Sequence, residues 1–190
     1  TNAKIKSVKR QKNYIELKGA EFSEKFDKVV IATHSDQALD LLENPKSNEL
    51  DVLSKIKYQK NSATIHTDTS ILPNRKKAWS SWNYLSSNNS KNVILTYNMN
   101  ILQKLKSPET FCVTINDPGL VDESKIIKKI NYEHPLFTNE SVSAQKKIKE
   151  INSNSRILFC GAYCGYGFHE DGLKSALDVC KEFNLSLNDA

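Results

Sequence analysis

The sequence lacks several features that would assign it to a common functional class. No apolar run approaches the roughly 20 residues that span a bilayer, and no secretory signal is visible. Arginine is scarce among the 27 basic residues, and no basic stripe is interleaved with aromatic residues. The net charge of +5 therefore indicates lysines dispersed over solvated faces, and we expect no nucleic-acid partner.

Cysteine is sparse and follows no metal-binding pattern. Cys160 and Cys164 bracket a turn, but no second pair stands at the spacing of a zinc site. Cys160 and Cys180 occupy apolar positions, which is typical of cysteines that pack as small hydrophobic residues. We therefore predict no metal site, reduced thiols and a cytoplasmic location.

Glycine is rare, with six residues in 190, and four of the six fall within twelve residues: Gly161, Gly165, Gly167 and Gly172. The short apolar run 157–160 precedes them and predicts a buried strand. A helical pattern follows, with its apolar residues on one face: Leu173, Ala176, Leu177 and Cys180. A strand, a glycine-rich turn and a helix N-terminus together offer backbone N–H groups and a helix dipole to an anion. The alternative is a plain connection in which glycine relieves steric strain.

The order of predicted elements indicates a chain that leaves one domain and returns to it. A hairpin is predicted within residues 4–17, and the β-branched run 29–32 predicts a strand buried on both faces. Mostly strand-like segments follow, then a helix at 143–151 and the strand at 157–160. We predict an α+β fold in which a mostly antiparallel domain is inserted between two segments of another domain. The predicted segments are 1–34, 35–155 and 156–190.

Residues 161–173 read Gly-Ala-Tyr-Cys-Gly-Tyr-Gly-Phe-His-Glu-Asp-Gly-Leu. This block resembles the C-terminal flavin-binding segment of the flavin-dependent amine oxidase superfamily, which includes protoporphyrinogen oxidases and phytoene desaturases. The likeness is strongest to a bacterial branch of FAD/NAD(P)-binding oxidoreductases. Further segments similar to that branch are 26–34, 66–68, 79–84, 96–100 and 134–137. The resemblance implies that the terminal segments belong to a Rossmann-like FAD-binding domain and that 35–155 is the substrate domain.

Enzymes of this kind hold the FAD pyrophosphate on a Gly-x-Gly-x-x-Gly turn after their first strand, and the chain has no such motif. Gly165 and Gly167 match its first pair, but Glu170 stands at the third position. The resemblance therefore implies the C-terminal portion of a longer flavoprotein, whose missing N-terminal half is a predicted partner. We expect these residues alone to be inactive, to bind FAD weakly or not at all, and to be prone to homodimerisation through an exposed sheet edge.

The resemblance assigns cofactor binding to the turn and to the end of the first strand. The predicted residues are Thr33, Gly161, Ala162, Gly165, Gly167, Phe168, His169, Glu170, Asp171 and Gly172. We expect the backbone of Gly167, Asp171 and Gly172 to make the contacts, because carboxylates near the helix start serve as a cap. Many relatives place an acidic residue for a ribityl hydroxyl where this chain has Ala162, so that contact is lost or made by another group.

The implied function of the full-length protein is FAD-dependent oxidation, with hydride transfer from an amine or lipophilic substrate to the flavin. The alternative is a non-catalytic binding or assembly module that retains the fold. Hydride transfer needs few acid–base groups, and no catalytic residue can be named. The candidate substrate-pocket residues are aromatic: Trp82, Tyr84, Tyr163, Tyr166 and Phe168. Packing in the hydrophobic core is the alternative role for these rings. Among the histidines, His169 is the best candidate for a functional role because it lies in the glycine-rich turn.

Overall fold

The computed structural model describes residues 2–86 and 94–187, and the fold is α+β, as the sequence predicts. The chain divides into two compact units, one comprising Thr1–Gln59 with Pro135–Ala190 and the other comprising Lys60–His134. The boundaries predicted at 34/35 and 155/156 concern an FAD-binding and a substrate domain and stay a prediction. Within the described ranges, none of the helices has the length and apolar character needed to cross a membrane.

The first unit begins with an antiparallel meander of three strands. Strands β1 (Ser7–Arg10) and β2 (Ile15–Lys18) form the predicted hairpin, and β3 (Ser23–Phe26) adds a strand that the sequence does not predict. Val8 and Ile15 are buried in the hydrophobic core, whereas β3 is exposed along its length. An exposed strand has no apolar alternation, which explains why its pattern gives no signal.

Strands β4 (Val29–Ile31) and β10 (Ile157–Phe159) form a parallel pair, although the second unit lies between them in sequence. Their pairing confirms the predicted layout of a chain that leaves a domain and returns to it. All of β10 is buried, as predicted. Val30, however, is 41% exposed, so the prediction that β4 is buried on both faces is wrong. Helix α6 (His169–Lys181) covers the neighbouring β10 residue on that face but leaves Val30 open.

The two edges of this small sheet differ. Along the outer edge of β10, the side-chain amide of Asn152 pairs with the backbone of Phe159, and Ser155 Oγ accepts from the amide of Ile157. Successive residues of a strand direct their N–H and C=O groups to opposite sides. Since Val29 is bonded to the β10 side, Val30 directs its backbone groups to the other edge, where no described strand is paired. One edge is closed by side chains and the other is open.

Short helices pack against these strands. They are α1 (Ser35–Leu41), α2 (Ser47–Leu53), α4 (Asn139–Gln145) and α5 (Ile148–Asn152), besides α6. The prediction of a single helix at 143–151 is wrong, since two helices occupy this region. The helix is interrupted where the amide of Lys147 donates to the carbonyl of Ala144, three residues back. The buried core of the unit includes Val8, Ile15, Ile31, Ala38, Leu53, Ile56, Ile157, Phe159 and Tyr163.

The second unit is built on a mostly antiparallel sheet, and a short helix α3 (Met99–Leu102) directly follows the strand Ile94–Asn98. In sheet order the strands are β6 (Trp82–Leu85), β7 (Ile94–Asn98), β8 (Cys112–Ile115), β5 (Tyr58–His66) and β9 (Ile126–Pro135). The pairs β6–β7, β7–β8 and β5–β8 are antiparallel. The turn predicted at residues 86–90 lies, except for residue 86, outside the described residues.

One face of this second sheet is buried and polar. His66 Nδ1 accepts the backbone amide of Asp68 at 3.1 Å, so the imidazole proton resides on Nε2. That nitrogen donates to Thr114 Oγ1 at 2.8 Å, and the hydroxyl groups of Thr114 and Thr96 share a hydrogen bond of 2.9 Å. Burial lowers the pKa of His66, which agrees with a neutral ring. The arrangement satisfies buried polar groups and gives His66 a structural role.

Candidate functional site

The glycine-rich turn connects β10 to α6 at the carboxyl end of the parallel pair. Beyond Gly161 the chain makes a 3-10 turn at Ala162–Cys164, and α6 begins at His169. The carbonyl oxygen of Thr33, at the end of β4, lies 3.6 Å from the place that a Cβ on Gly161 would occupy. The structure therefore brings two of the predicted cofactor-binding residues, Thr33 and Gly161, to the same place.

Two glycines of the turn have clear steric reasons. Gly167 has φ +88°, a conformation that L side chains rarely adopt. A Cβ on Gly165 would lie 2.5 Å from Asp171 Oδ1 and 2.8 Å from Asp171 Cβ. Since the carbon atom cannot swing aside as a flexible tip does, Gly165 is required by the packing of Asp171.

Three side chains hold the turn in shape. Asp171 Oδ2 accepts the amides of Tyr166 and Phe168, each at 3.0 Å. Gln145 Nε2 donates to the carbonyl oxygens of Tyr163 at 3.0 Å and Gly165 at 2.7 Å.

Ser175 supplies the third contact. Its Oγ accepts the amide of Gly161 at 2.9 Å and donates to the carbonyl of Gly172 at 2.7 Å. The shape of the turn is thus fixed by the chain's own side chains, without any ligand.

The backbone amides of the turn are partly used within the chain. Gly167 N donates to the Ala162 carbonyl at 3.1 Å, and the amides of Asp171 and Gly172 donate to the Phe168 carbonyl at 3.0 and 3.2 Å. Contacts from these three amides to a cofactor stay a prediction. Four other amides of the predicted set have no hydrogen-bond partner within residues 2–86 and 94–187: Thr33, Ala162, His169 and Glu170.

The predicted carboxylates have different surroundings. Asp171 caps the turn, as expected of an acidic residue at a helix start. Glu170 is exposed and lies 3.8 Å from Lys174 Nζ, one helical turn on. The apolar face predicted for this helix is wrong in part: α6 buries Ser175 and Val179, and Leu173 is 48% exposed, because the helix is rotated so that Ser175 faces the turn.

The aromatic residues of the turn separate into exposed and buried rings. Tyr166 and Phe168 are 79% and 59% exposed and flank Gly167. Tyr163, also predicted to line a substrate pocket, lies in the hydrophobic core instead, where its hydroxyl has no hydrogen-bond partner among the described residues. Burial raises the pKa of Tyr163 well above its usual range. Of these three rings in the turn, those of Tyr166 and Phe168 are accessible to a ligand and that of Tyr163 is not.

Trp82 and Tyr84, two of the candidate pocket residues, lie on one face of edge strand β6 in the second unit. Both rings are largely exposed, and Trp82 packs edge-on against Tyr97 with ring centroids 5.6 Å apart. They line an open groove of about 740 Å³ together with Leu72, Pro73, Leu85 and Leu120. We call this cavity the β6 groove.

All four cysteines are free thiols. Burial raises the pKa of Cys112 to about 11 and that of Cys164 to about 12. Such thiols are protonated at neutral pH, so they pack as small hydrophobic groups and do not act as nucleophiles.

A parallel strand pair, a ligand-type turn at its carboxyl end and an antiparallel sheet inserted between the strands define the class of fold. This is an α+β fold in which a unit containing a parallel strand pair is interrupted in sequence by an antiparallel unit. Among solved structures, a CLA-producing fatty acid isomerase from P. acnes superposes with a TM-score of 0.65 and 14% identity, over 97% of this chain and 48% of that chain.

Two amine oxidases are also similar. Cyclohexylamine oxidase from Brevibacterium oxydans IH-35A matches with a TM-score of 0.58 and 9% identity, over 96% of this chain and 49% of its own. Wild-type putrescine oxidase bound to putrescine matches with a TM-score of 0.60 and 9% identity, over 96% and 48%. No family model and no curated protein matches the sequence. The chain spans about half the length of these structures and has the fold of the C-terminal portion of the flavin-dependent amine oxidases.

Proposed function

We propose that this chain is the C-terminal part of an FAD-dependent oxidoreductase, and that its glycine-rich turn binds the flavin. The observation that carries the proposal is the parallel pairing of β4 with β10, which places Thr33 beside Gly161 where both strands end. Ligands of open α/β sheets bind at the carboxyl ends of the strands. The fold shared with amine oxidases supports FAD as that ligand.

The residues of the turn fit such a cofactor. The unpaired amides of His169 and Glu170 lie at the start of α6, where the helix dipole favours negative charge, and the unpaired amide of Ala162 lies earlier in the glycine-rich turn. A Cβ on Gly172 would meet nothing closer than the Ala162 nitrogen at 3.7 Å, so packing within the chain gives no steric reason for glycine. A helix glycine costs about 1 kcal/mol relative to alanine. Close approach of a ligand to the helix backbone supplies the missing reason.

Bound FAD supplies the hydride-accepting ring system, and the residues of this chain bind and orient it. The exposed rings of Tyr166 and Phe168 are available to pack against a planar ligand. The positive end of α6 stabilises negative charge near the turn. No residue of the turn is required to move a proton in this proposal.

For the substrate we propose an amine or a lipophilic molecule. The names of the similar structures support this range, since they include oxidases of putrescine and cyclohexylamine and an isomerase of fatty acids. The β6 groove fits either end of the range, because apolar side chains such as Trp82 and Leu120 share its wall with polar ones such as Asn74 and Asn83.

The partner that we propose for the open edge of β4 is the missing N-terminal half of the same protein. A further strand there would bond the free backbone groups of Val30 and place its own side chains beside the exposed one. In the isolated chain the same edge is free to pair with a second copy, so we propose a homodimer for these residues alone. We also propose a cytoplasmic location, which the four free thiols support.

The test uses the full-length protein. It is expected to purify with bound flavin, and anaerobic addition of the correct amine or lipid is expected to bleach the flavin absorbance. A colourless protein that takes up no added FAD would favour the non-catalytic binding or assembly module.

A further inference from the structure

The glycine-rich turn is held from two sides by side chains of different helices. Gln145, the last residue of α4, donates both N–H groups of its amide, one to the carbonyl of Tyr163 and one to that of Gly165. Asp171, in the first turn of α6, accepts the amides of Tyr166 and Phe168 with one carboxylate oxygen. Two carbonyl groups of the turn are therefore hydrogen-bonded to α4, and two amides of the turn are hydrogen-bonded to Asp171.

The Asp171 contact has a chemical consequence. Neighbouring backbone N–H groups that point to one spot form a binding site for anions. In this turn the spot is filled by the chain's own carboxylate, so Tyr166 and Phe168 have no amide left for an external phosphate. The carboxylate of Asp171 thus takes the place of an external anion and fixes the backbone conformation of the turn. A ligand therefore binds to a turn that is already ordered.

The Gln145 contact is independent of the packing of its own helix. The buried residues of α4 are Ser141 and Ala144, while Gln145 is only half-buried. Replacing the amide therefore removes two hydrogen bonds to the turn and leaves the core side of α4 intact.

We propose that Gln145 and Asp171 are positioning residues, which preset the glycine-rich turn for the cofactor so that binding does not have to order it. This inference rests on the proposed function. Neither side chain is required to touch the cofactor. Ordering a loop on binding lowers affinity, and a preset loop avoids that cost.

The test compares Gln145→Met, which keeps the length but has no donor, with Asp171→Ala, which removes the acceptor. Gln103→Met is the matched control, because Gln103 is exposed and its side chain makes no hydrogen bond in the described part of the chain. Asp171→Asn retains one acceptor oxygen and is expected to fall between wild type and Asp171→Ala.

The first measurement is amide hydrogen exchange in the 190-residue chain, which does not depend on flavin. We expect exchange at Tyr166 and Phe168 to become about tenfold faster in both variants, with little change in β5 to β8 and none in the control. An equal rise over the whole chain would show a general loss of stability and would overturn the positioning role.

The second measurement is the dissociation constant for FAD in the full-length protein. We expect it to rise about tenfold in Gln145→Met, which corresponds to about 1.4 kcal/mol, and to be unchanged in Gln103→Met. Wild-type affinity in Gln145→Met, with wild type binding FAD, would overturn the positioning role alone. A wild-type protein that takes up no FAD would overturn the proposed function and, with it, this role, whatever the exchange result.

Discussion

Asn152 and Phe159 make two reciprocal hydrogen bonds that imitate the pairing of a neighbouring strand. Asn152 Nδ2 donates to the carbonyl of Phe159 and Phe159 N donates to Asn152 Oδ1, each at 2.8 Å. Both residues are buried, so no water is at hand to replace these bonds. The side chain therefore closes the outer edge of β10, which an additional strand would otherwise have to cover.

Replacing Asn152 by leucine is expected to destabilise the chain. The change leaves the N–H and C=O groups of Phe159 buried without partners, at a cost of about 1–3 kcal/mol for each group. Urea unfolding measures the loss. Asn131→Ala, at an exposed position of β9, is the control and is expected to change the unfolding free energy by less than about 0.5 kcal/mol. Equal stability of the two variants would contradict the edge-closing role.

The variant Val30→Pro tests whether the open edge of β4 binds a further strand in the full-length protein. Val30 N–H faces the open edge, so proline removes no hydrogen bond from the isolated chain. In the full-length protein the same change would remove a bond to the proposed additional strand. We expect Val30→Pro to reduce the free energy of FAD binding to the full-length protein by much more than it reduces the unfolding free energy of the 190-residue chain. Val30→Thr retains the N–H group and serves as the control.

Asp68 is expected to make the second unit sensitive to acid. Burial alone would raise the pKa of this carboxyl group, but hydrogen bonds from the amides of Asp122 and Ser70 and from Lys125 outweigh it and hold the pKa well below its usual range. The stabilisation is complete above the ordinary pKa of about 3.9 and is lost as the pH falls below it.

The variant Asp68→Asn tests this dependence. We expect it to lower the unfolding free energy at pH 7 by about 1.5–3 kcal/mol, since bonds to a charged group are lost, and to flatten the fall in stability below about pH 4. Urea unfolding at a series of pH values measures both effects. Asp40→Asn, at an exposed position, should retain the wild-type slope. An unchanged slope in Asp68→Asn would contradict the prediction.

The 190 residues alone are expected to bind FAD weakly or not at all. They lack the Gly-x-Gly-x-x-Gly turn that holds the pyrophosphate in the resembled enzymes. The dipole of one exposed helix end contributes about 0.3–1 kcal/mol, whereas micromolar binding needs about 8 kcal/mol. Calorimetric titration of this chain, beside one that includes the N-terminal half, measures the difference. Sub-micromolar binding by the short chain would show that the nucleotide site lies elsewhere.

The parallel pair and the turn are the parts of the fold that the sequence predicts well. Residues 157–160 form an apolar run directly before clustered glycines, which is a local signal that needs no knowledge of distant contacts. The side chains that hold the turn give no such signal. Gln145 and Ser175 are polar residues within helical segments, and their partners depend on how the helices pack.

The polar face of the second sheet is hidden from sequence patterns for a related reason. Alternation predicts an apolar buried face, but Thr96 and Thr114 combine a strand-forming β-branched shape with a hydroxyl group. Only the register that aligns them shows that each hydroxyl is satisfied. Burial of Tyr163 in the core is equally invisible, because an aromatic residue beside glycines fits a pocket and a core alike.

Gly165 and Asp171 occupy mutually dependent positions. A side chain at 165 fits only if the backbone at 171 moves away, because its Cβ would lie 2.8 Å from the Cβ at 171, and the carboxylate at 171 adds a closer contact. In an alignment of related chains, these two columns are therefore expected to vary together rather than separately. Such a correlated pair would identify this turn in distant sequences in which the remaining glycines have been lost.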